Sequence, residues 1–418
     1  EWAYEMMRTK RVLGSQRAMQ FGGKPIFKHN ARIYNCITSY ADRLKFFQEC
    51  MYLLLCGCGA GFSVQKHHIK KLPRLIKQKE GTKKFTIPDS IEGWSDAVGL
   101  LISSYFEQDE LFPEHQGKNV TFDYSEIRPA GSFLNSSGGK APGPEPLKNA
   151  LTNIKKVLDK ALKNLEFCHG EGRRLEPIEA YDIVMYGADA VISGGVRRSA
   201  TICLFSPDDE DMAKAKTGSW FVENPQRGRS NNSAILLREK TTKKQFAKLM
   251  KSVKEFGEPG FVWADSTELI VNPCVEIGMW PVDEETGESG WQACNLSTIN
   301  CAKIKTEEDF LDACKAASII GTLQAGFSSF PYLGKTSEAI VKREALLGVS
   351  MTGIMEQYEI CLDPKIQKDG AKVVKDENKR IAKIIGINQA ARTTCIKPEG
   401  TSSCVLGTSS GIHPHHAK

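Results

Sequence analysis

Four glycine-rich polar connections, at residues 57–61, 131–143, 194–199 and 400–411, interrupt an alternation of helical and extended segments. Residues 43–55 and 179–192 carry apolar side chains at helical spacing, whereas 200–205 and 233–237 are short apolar or β-branched runs that predict strands. That alternation restricts the chain to the α/β class. Polar glycine-rich loops on such a scaffold predict segments that shape a ligand site. Residues 77–84 are charged and lack apolar periodicity, which predicts an exposed loop. There is no repeat at a fixed period, no low-complexity tract and no evident linker, so residues 1–418 read as one domain.

Composition removes several classes of function. No apolar run approaches the roughly 18 residues that span a bilayer, so a membrane is not expected as a partner. The opening Glu1-Trp2-Ala3-Tyr4-Glu5 lacks the basic and apolar regions of a secretory signal, which predicts a cytoplasmic protein. A net charge of +6, with basic residues dispersed among acidic ones, gives no reason to expect a nucleic-acid partner. The 13 cysteines are an odd number in a chain too long to need disulfide staples. They point to free thiols, metal binding or redox chemistry.

One cysteine stands in a chemically pointed context. In Val271-Asn272-Pro273-Cys274-Val275-Glu276-Ile277, Asn272, Cys274 and Glu276 recur at steps of two, so an extended backbone turns an amide, a thiol and a carboxylate the same way. Pro273 lacks a ladder donor and favours a loop or strand end, placing the thiol at a loop tip. A lone cysteine beside an acid is more often a packed small hydrophobe than a reactive group. Two further segments change that balance: Arg32-Ile33-Tyr34-Asn35-Cys36, and Ala293-Cys294-Asn295-Leu296-Ser297-Thr298-Ile299-Asn300.

Together these segments resemble the ribonucleotide reductase family, with its Asn-x-Cys-x-Glu motif, a Cys-Asn-Leu-Ser motif about twenty residues later and an early cysteine after a small polar residue. Several loops agree in family order: Arg128-Pro129-Ala130-Gly131-Ser132, Gly143-Pro144-Glu145-Pro146-Leu147, Gly194-Gly195-Val196-Arg197-Arg198-Ser199-Ala200, Ser230-Asn231-Asn232-Ser233, Gly257-Glu258-Pro259-Gly260-Phe261 and Lys397-Pro398-Glu399-Gly400-Thr401-Ser402-Ser403. The resemblance implies a ten-stranded α/β barrel of two parallel five-stranded halves set antiparallel, with a central finger loop carrying the radical cysteine. Residues 1–30 would be a lead-in, and the barrel's C-terminal end would lie beyond the sequence. No N-terminal ATP cone is expected.

The resemblance also implies a chemistry. Cys274 would become a thiyl radical that abstracts the ribose 3′ hydrogen, Glu276 would accept the 3′-hydroxyl proton, and Asn272 would hydrogen-bond the sugar. Cys36 and Cys294 would supply the reducing equivalents, ending as a disulfide that thioredoxin or glutaredoxin reduces. Substrate contacts would come from Ser15, Asn35 and Gly59, and from a phosphate cradle at Pro398, Glu399, Gly400, Thr401, Ser402 and Ser403. Arg197 and Arg198 would lie on the loop through which a deoxynucleotide effector tunes base choice. The substrate would be a ribonucleoside di- or triphosphate.

The radical source stays open between adenosylcobalamin, which the glycine loops favour in wording, and a separate metal-containing small subunit. A homodimer fits the resemblance as well. Cys56-Gly57-Cys58 with His67 and His68, or the C-terminal histidines, lack zinc-finger spacing, so no metal is expected on this chain. Gly-Cys-Gly-Ala-Gly-Phe lacks the third glycine of a dinucleotide fingerprint. Two other classes compete: a cysteine-dependent hydrolase or transferase with His29, His67 or His115 as base, and a non-catalytic nucleotide-binding homologue.

Overall fold

The computed structural model describes residues 1–78, 81–107, 111–134, 139–163, 173–191 and 200–415. It is α/β, and the chain divides into two compact units. The first comprises Glu1–Ile37, Cys274–Gly278 and Val282–Lys418; the second comprises Thr38–Pro273 and Met279–Pro281. Among the described residues, no helix is long and apolar enough to cross a membrane.

In the first unit, Leu296–Asn300 is the middle strand of three, pairing antiparallel with Val12–Leu13 and parallel with Gly348–Thr352. All five residues of both longer strands are buried, including Ser297, Thr298, Asn300, Ser350 and Thr352. Helix Glu307–Ala325 starts at a reciprocal capping box in which Thr306 and Asp309 satisfy each other's backbone. It packs on helix Pro364–Ile385, where Gly370 lets the backbones close in: an added Cβ would lie 2.6 Å from the Phe310 ring. Val12, Ile299, Phe310, Ala313, Ala317, Val349 and Val374 form the core there.

In the second unit, Gly59–Ser63, Thr201–Phe205, Ser230–Leu237 and Gly260–Ala264 are parallel neighbours in that order. Two of these are the strands predicted at 200–205 and 233–237, the latter three residues longer at its start. The predicted helices are Lys45–Leu55 and Pro177–Ala190. The first packs against both Ile91–Ser103 and Pro177–Ala190 and is buried over nine of its 11 residues, each large apolar side chain contributing about 1.5–3 kcal/mol. The second begins with Pro177 and a Glu176–Glu179 capping box, good starting chemistry for a helix.

Three expectations change. The strands form separate open sheets among the described residues, and no closed ten-stranded sheet is seen. In the first unit the sheet continues past Gly348–Thr352 only as an isolated bridge, Val349 to Thr394, because the chain at 392–395 meets that edge too briefly to form a strand. The charged stretch at 77–84 is not all loop: Thr82–Thr86 pairs in parallel with Asn119–Asp123. Gly59 opens a buried strand instead of a ligand loop, and the close backbone approach falls two residues later. A Cβ on Gly61 would lie 2.1 Å from the Val271 carbonyl oxygen, so the absence of a side chain fixes where strand Ile270–Val271 can lie.

Candidate active site

Strand Ile270–Val271 stops at Asn272, as Pro273 requires, and the chain then turns. The expected extended run through 276 is not formed. Val275 has φ +65°, a left-handed conformation that a β-branched residue adopts only under constraint, at about 1–2 kcal/mol. The steps-of-two alignment of Asn272, Cys274 and Glu276 is therefore broken by a turn. Asn272 is fully buried and belongs to the second unit, whereas Cys274 and Glu276 belong to the first.

The three predicted cysteines do come together within the first unit. The Cys36 thiol is in hydrogen-bonding reach of both Cys274 and Cys294, forming a chain with Cys36 in the middle. Cys36 and Cys294 are buried; Cys274 is exposed. The hydrogen bond with Cys274 works to lower the Cys36 pKa, but the bond with Cys294, burial and the Glu276 charge outweigh it and hold Cys36 well above the ordinary thiol range. Cys274 is also pushed up, first by its bond to Cys36, then by burial and by Glu276, with Lys397 opposing. Both groups are S–H at neutral pH.

A buried polar chain positions the pair. The Ser15 hydroxyl donates to the Ile33 carbonyl at 2.6 Å and lies 3.0 Å from Asn35 Oδ1, next to Cys36. The Ser15 amide donates to Gln324 Oε1 at 2.7 Å, and Gln324 Nε2 donates to Asn295 Oδ1 at 2.7 Å, next to Cys294. Ser15 and Asn35, expected as substrate contacts, thus lie next to the thiols with polar atoms engaged in scaffold bonds.

The Pro398–Ser403 segment runs into a short helix, Gly400–Leu406. Glu399 sits at φ +57° and is buried; its Oε1 accepts from Thr298 Oγ1 at 2.6 Å, and its Oε2 accepts from the Ser402 hydroxyl. Its carboxylate organises the turn from inside, while Gly400 and Thr401 are exposed. Ser403 donates to the Gly400 carbonyl at 3.0 Å. Pro398 accepts from Ser410 Oγ at 2.7 Å.

Two residues of the site escaped the sequence reading. Lys397 stands 3.8 Å from Glu399 and favours the charged form of Cys274 and Cys395 alike. Cys395, a fourth thiol near Glu276, is pushed up to about 12 by burial. Lys397 was visible as the first residue of a recognised loop motif; Cys395 had no signal, since its place depends on the bridge at Thr394. Arg197 and Arg198 lie outside the described residues.

Residues 64–158 match the family described as "B12-dependent ribonucleotide reductase, insertion domain". The adenosylcobalamin-dependent ribonucleoside-triphosphate reductase of Lactobacillus delbrueckii is 26% identical, over 87% of this chain and 56% of its own length. A probable enzyme of the same description from Dictyostelium discoideum is 28% identical, over 79% of this chain and 42% of its own. The chain therefore spans about half the length of these relatives. A B12-dependent (class II) ribonucleotide reductase crystal structure superposes with a TM-score of 0.78 at 22% identity, covering 99% of this chain and 66% of that one. The cysteine, amide and carboxylate motifs stand in the order expected of that resemblance, three thiols gather around Cys36, and the chain is similar to B12-dependent ribonucleotide reductases in sequence and fold.

Proposed function

We propose that this chain carries the catalytic centre of a ribonucleotide reductase that uses adenosylcobalamin and acts on ribonucleoside triphosphates. The single observation that carries this is the thiol chain Cys274–Cys36–Cys294, with its open end at Cys274 and two thiols held protonated. A hydrolase or transferase needs a thiolate, so raised pKa values argue against that class. Hydrogen-atom transfer needs an S–H, which is what the site maintains.

The exposed position of Cys274, beside an outward-facing Val275, fits a radical source that is a separate bulky group reaching the loop from outside. When bound, adenosylcobalamin supplies a radical from its carbon–cobalt bond, and the Cys274 loop is the part of this chain that would face it. The relatives' names support that cofactor and the triphosphate.

Cys274 as a thiyl radical takes the 3′ hydrogen, Glu276 takes the 3′-hydroxyl proton, and Asn272 holds the sugar. The 2′ hydroxyl leaves as water. Cys36 and Cys294 give two electrons and two hydrogens and close into a disulfide, after which the 3′ hydrogen returns from Cys274. In balance, one ribonucleotide and two thiols give one deoxyribonucleotide, one disulfide and one water. Glu399, Ser402 and the exposed residues Gly400 and Thr401 shape the phosphate end. The buried disulfide is renewed by thiol exchange from thioredoxin or glutaredoxin, and Arg197 and Arg198 belong to an effector-responsive loop.

The test is deoxynucleotide formation from each ribonucleoside triphosphate with a dithiol reductant and adenosylcobalamin. Product with cobalamin alone supports the whole proposal, and product only with a separate metal subunit overturns the cofactor assignment. No product under either condition overturns the activity.

A further inference from the structure

The adjacent histidines that lack finger spacing acquire a third partner from far along the chain. His67 Nε2 lies 2.8 Å from Glu268 Oε1, and His68 Nε2 lies 3.1 Å from Glu268 Oε2. The three ligating atoms all fall within 4.8 Å of one another. Donor atoms about 2.1 Å from a tetrahedral zinc stand about 3.4 Å apart, so this spacing needs only small side-chain movements to hold one. We propose that His67, His68 and Glu268 form a zinc site, with an open fourth position toward solvent.

The donor set has the right chemistry and is held in place. His68 is fully buried, so its ring is fixed by packing. The two Glu268 carboxylate oxygens are each taken by one ring, Oε1 by His67 and Oε2 by His68. Two imidazole nitrogens and one carboxylate are a His₂Glu set that suits zinc.

The supports are in the same compact unit. Tyr40 stacks on the His68 ring at 3.9 Å with a 14° tilt, and Ser63 Oγ lies 2.9 Å from His68 Nδ1. A hydroxyl there accepts the Nδ1 proton when Nε2 is given to a metal, which is the usual outer partner of a ligating histidine. The Glu268 backbone is fixed independently: Tyr40 donates to its carbonyl at 2.5 Å, and Gln65 Nε2 donates to the Thr267 carbonyl at 2.7 Å. His67 and Glu268 have side chains 42% and 39% exposed, so an ion can enter without opening the fold. Bound metal would clamp residues 266–269 just ahead of strand Ile270–Val271.

The chain's thiols also bind zinc, so the test must tell the two apart. The whole protein, freed of metal by chelation, is titrated with cobalt(II) as a spectroscopic probe and then challenged with zinc(II). The expected result is saturable binding whose visible bands lack a thiolate charge-transfer band and which zinc(II) displaces. His67→Ala and Glu268→Gln should each weaken it at least about 100-fold. His67 is exposed enough for His67→Ala to fold, which a metal-free melting curve checks; zinc(II) should raise the melting temperature of the parent and not of this variant. Absence of saturable binding, a spectrum showing only thiolate ligation, or equal affinity in parent and variants would each overturn the proposal and leave a hydrogen-bonded triad.

Discussion

Two groups of three cysteines lie in the same compact unit, and only one has surroundings suited to reaction. Cys301, Cys314 and Cys361 are 0%, 3% and 0% exposed and sit among Val12, Ile299, Phe310 and Val374. Cys301 is a free thiol hydrogen-bonded to Cys361 much as Cys36 is to Cys274. The groups differ in access and polarity: one ends at exposed Cys274, with Glu276 and Lys397 acting on it, whereas the other is closed within the apolar core. Thiol proximity alone therefore does not mark a redox centre; the proposed one is set apart by a thiol open to the outside beside a carboxylate.

The largest expected effect breaks this contrast at the open end. Cys274→Ser should reduce deoxynucleotide formation by at least about four orders of magnitude, roughly 5.5 kcal/mol of barrier, because a hydroxyl cannot exchange a hydrogen atom with carbon reversibly. Cys314→Ala, in the closed group, should cost about 1 kcal/mol of stability and leave kcat within about twofold. If Cys314→Ala removes activity at normal stability, the contrast is wrong. Next in size, Cys36→Ser and Cys294→Ser should each lower multiple turnover at least about 100-fold, checked by steady-state assays with excess dithiol. Turnover surviving either change would favour a hydrolase-type single thiol.

The closed group also dictates a pH response. Cys314 is pushed up to about 12 by burial, whereas an unfolded thiol titrates near pH 8.5. A group whose folded pKa is raised gives its full stabilisation below the unfolded value and loses it as pH climbs through the folded one. Stability should therefore hold up to about pH 8.5 and then fall toward pH 12, by about 2 kcal/mol for this thiol at pH 10. Denaturant melts at pH 8 and pH 10 check this, and Cys314→Ala should shrink the difference. The smallest effect is Val275→Gly, which relieves a left-handed valine and should gain about 0.5 kcal/mol in the same melts while lowering turnover a few-fold by loosening the loop tip.

The sequence carried much of this in advance, though unevenly. Strands at 201–205 and 230–237 and the helices near 45–55 and 177–190 were legible because period, length and caps are local properties. The trio Cys36, Cys274 and Cys294 was legible through motif wording, although 238 positions separate its first two members. What stayed hidden depends on contacts between distant segments. That Thr298 holds the Glu399 carboxylate is invisible in the sequence, and Cys395 reads as filler until the bridge at Val349 fixes it near Glu276. The meeting of His67 and His68 with Glu268 is equally hidden, because Glu268 comes 200 residues later. The turn at Val275 was missed because alternation assumes an extended backbone, and nothing about valine announces a positive φ.

Gly61 has no chemistry of its own, yet its lack of a side chain makes it one of the least replaceable positions in the second unit. A single added carbon would strike the Val271 carbonyl at 2.1 Å and act as a wedge under the strand that ends at Asn272. Mutational drift at position 61 would therefore be felt at a residue one step beyond the contact. A scan of tolerated substitutions would mark this glycine as indispensable, and a catalogue of reactive groups would never include it.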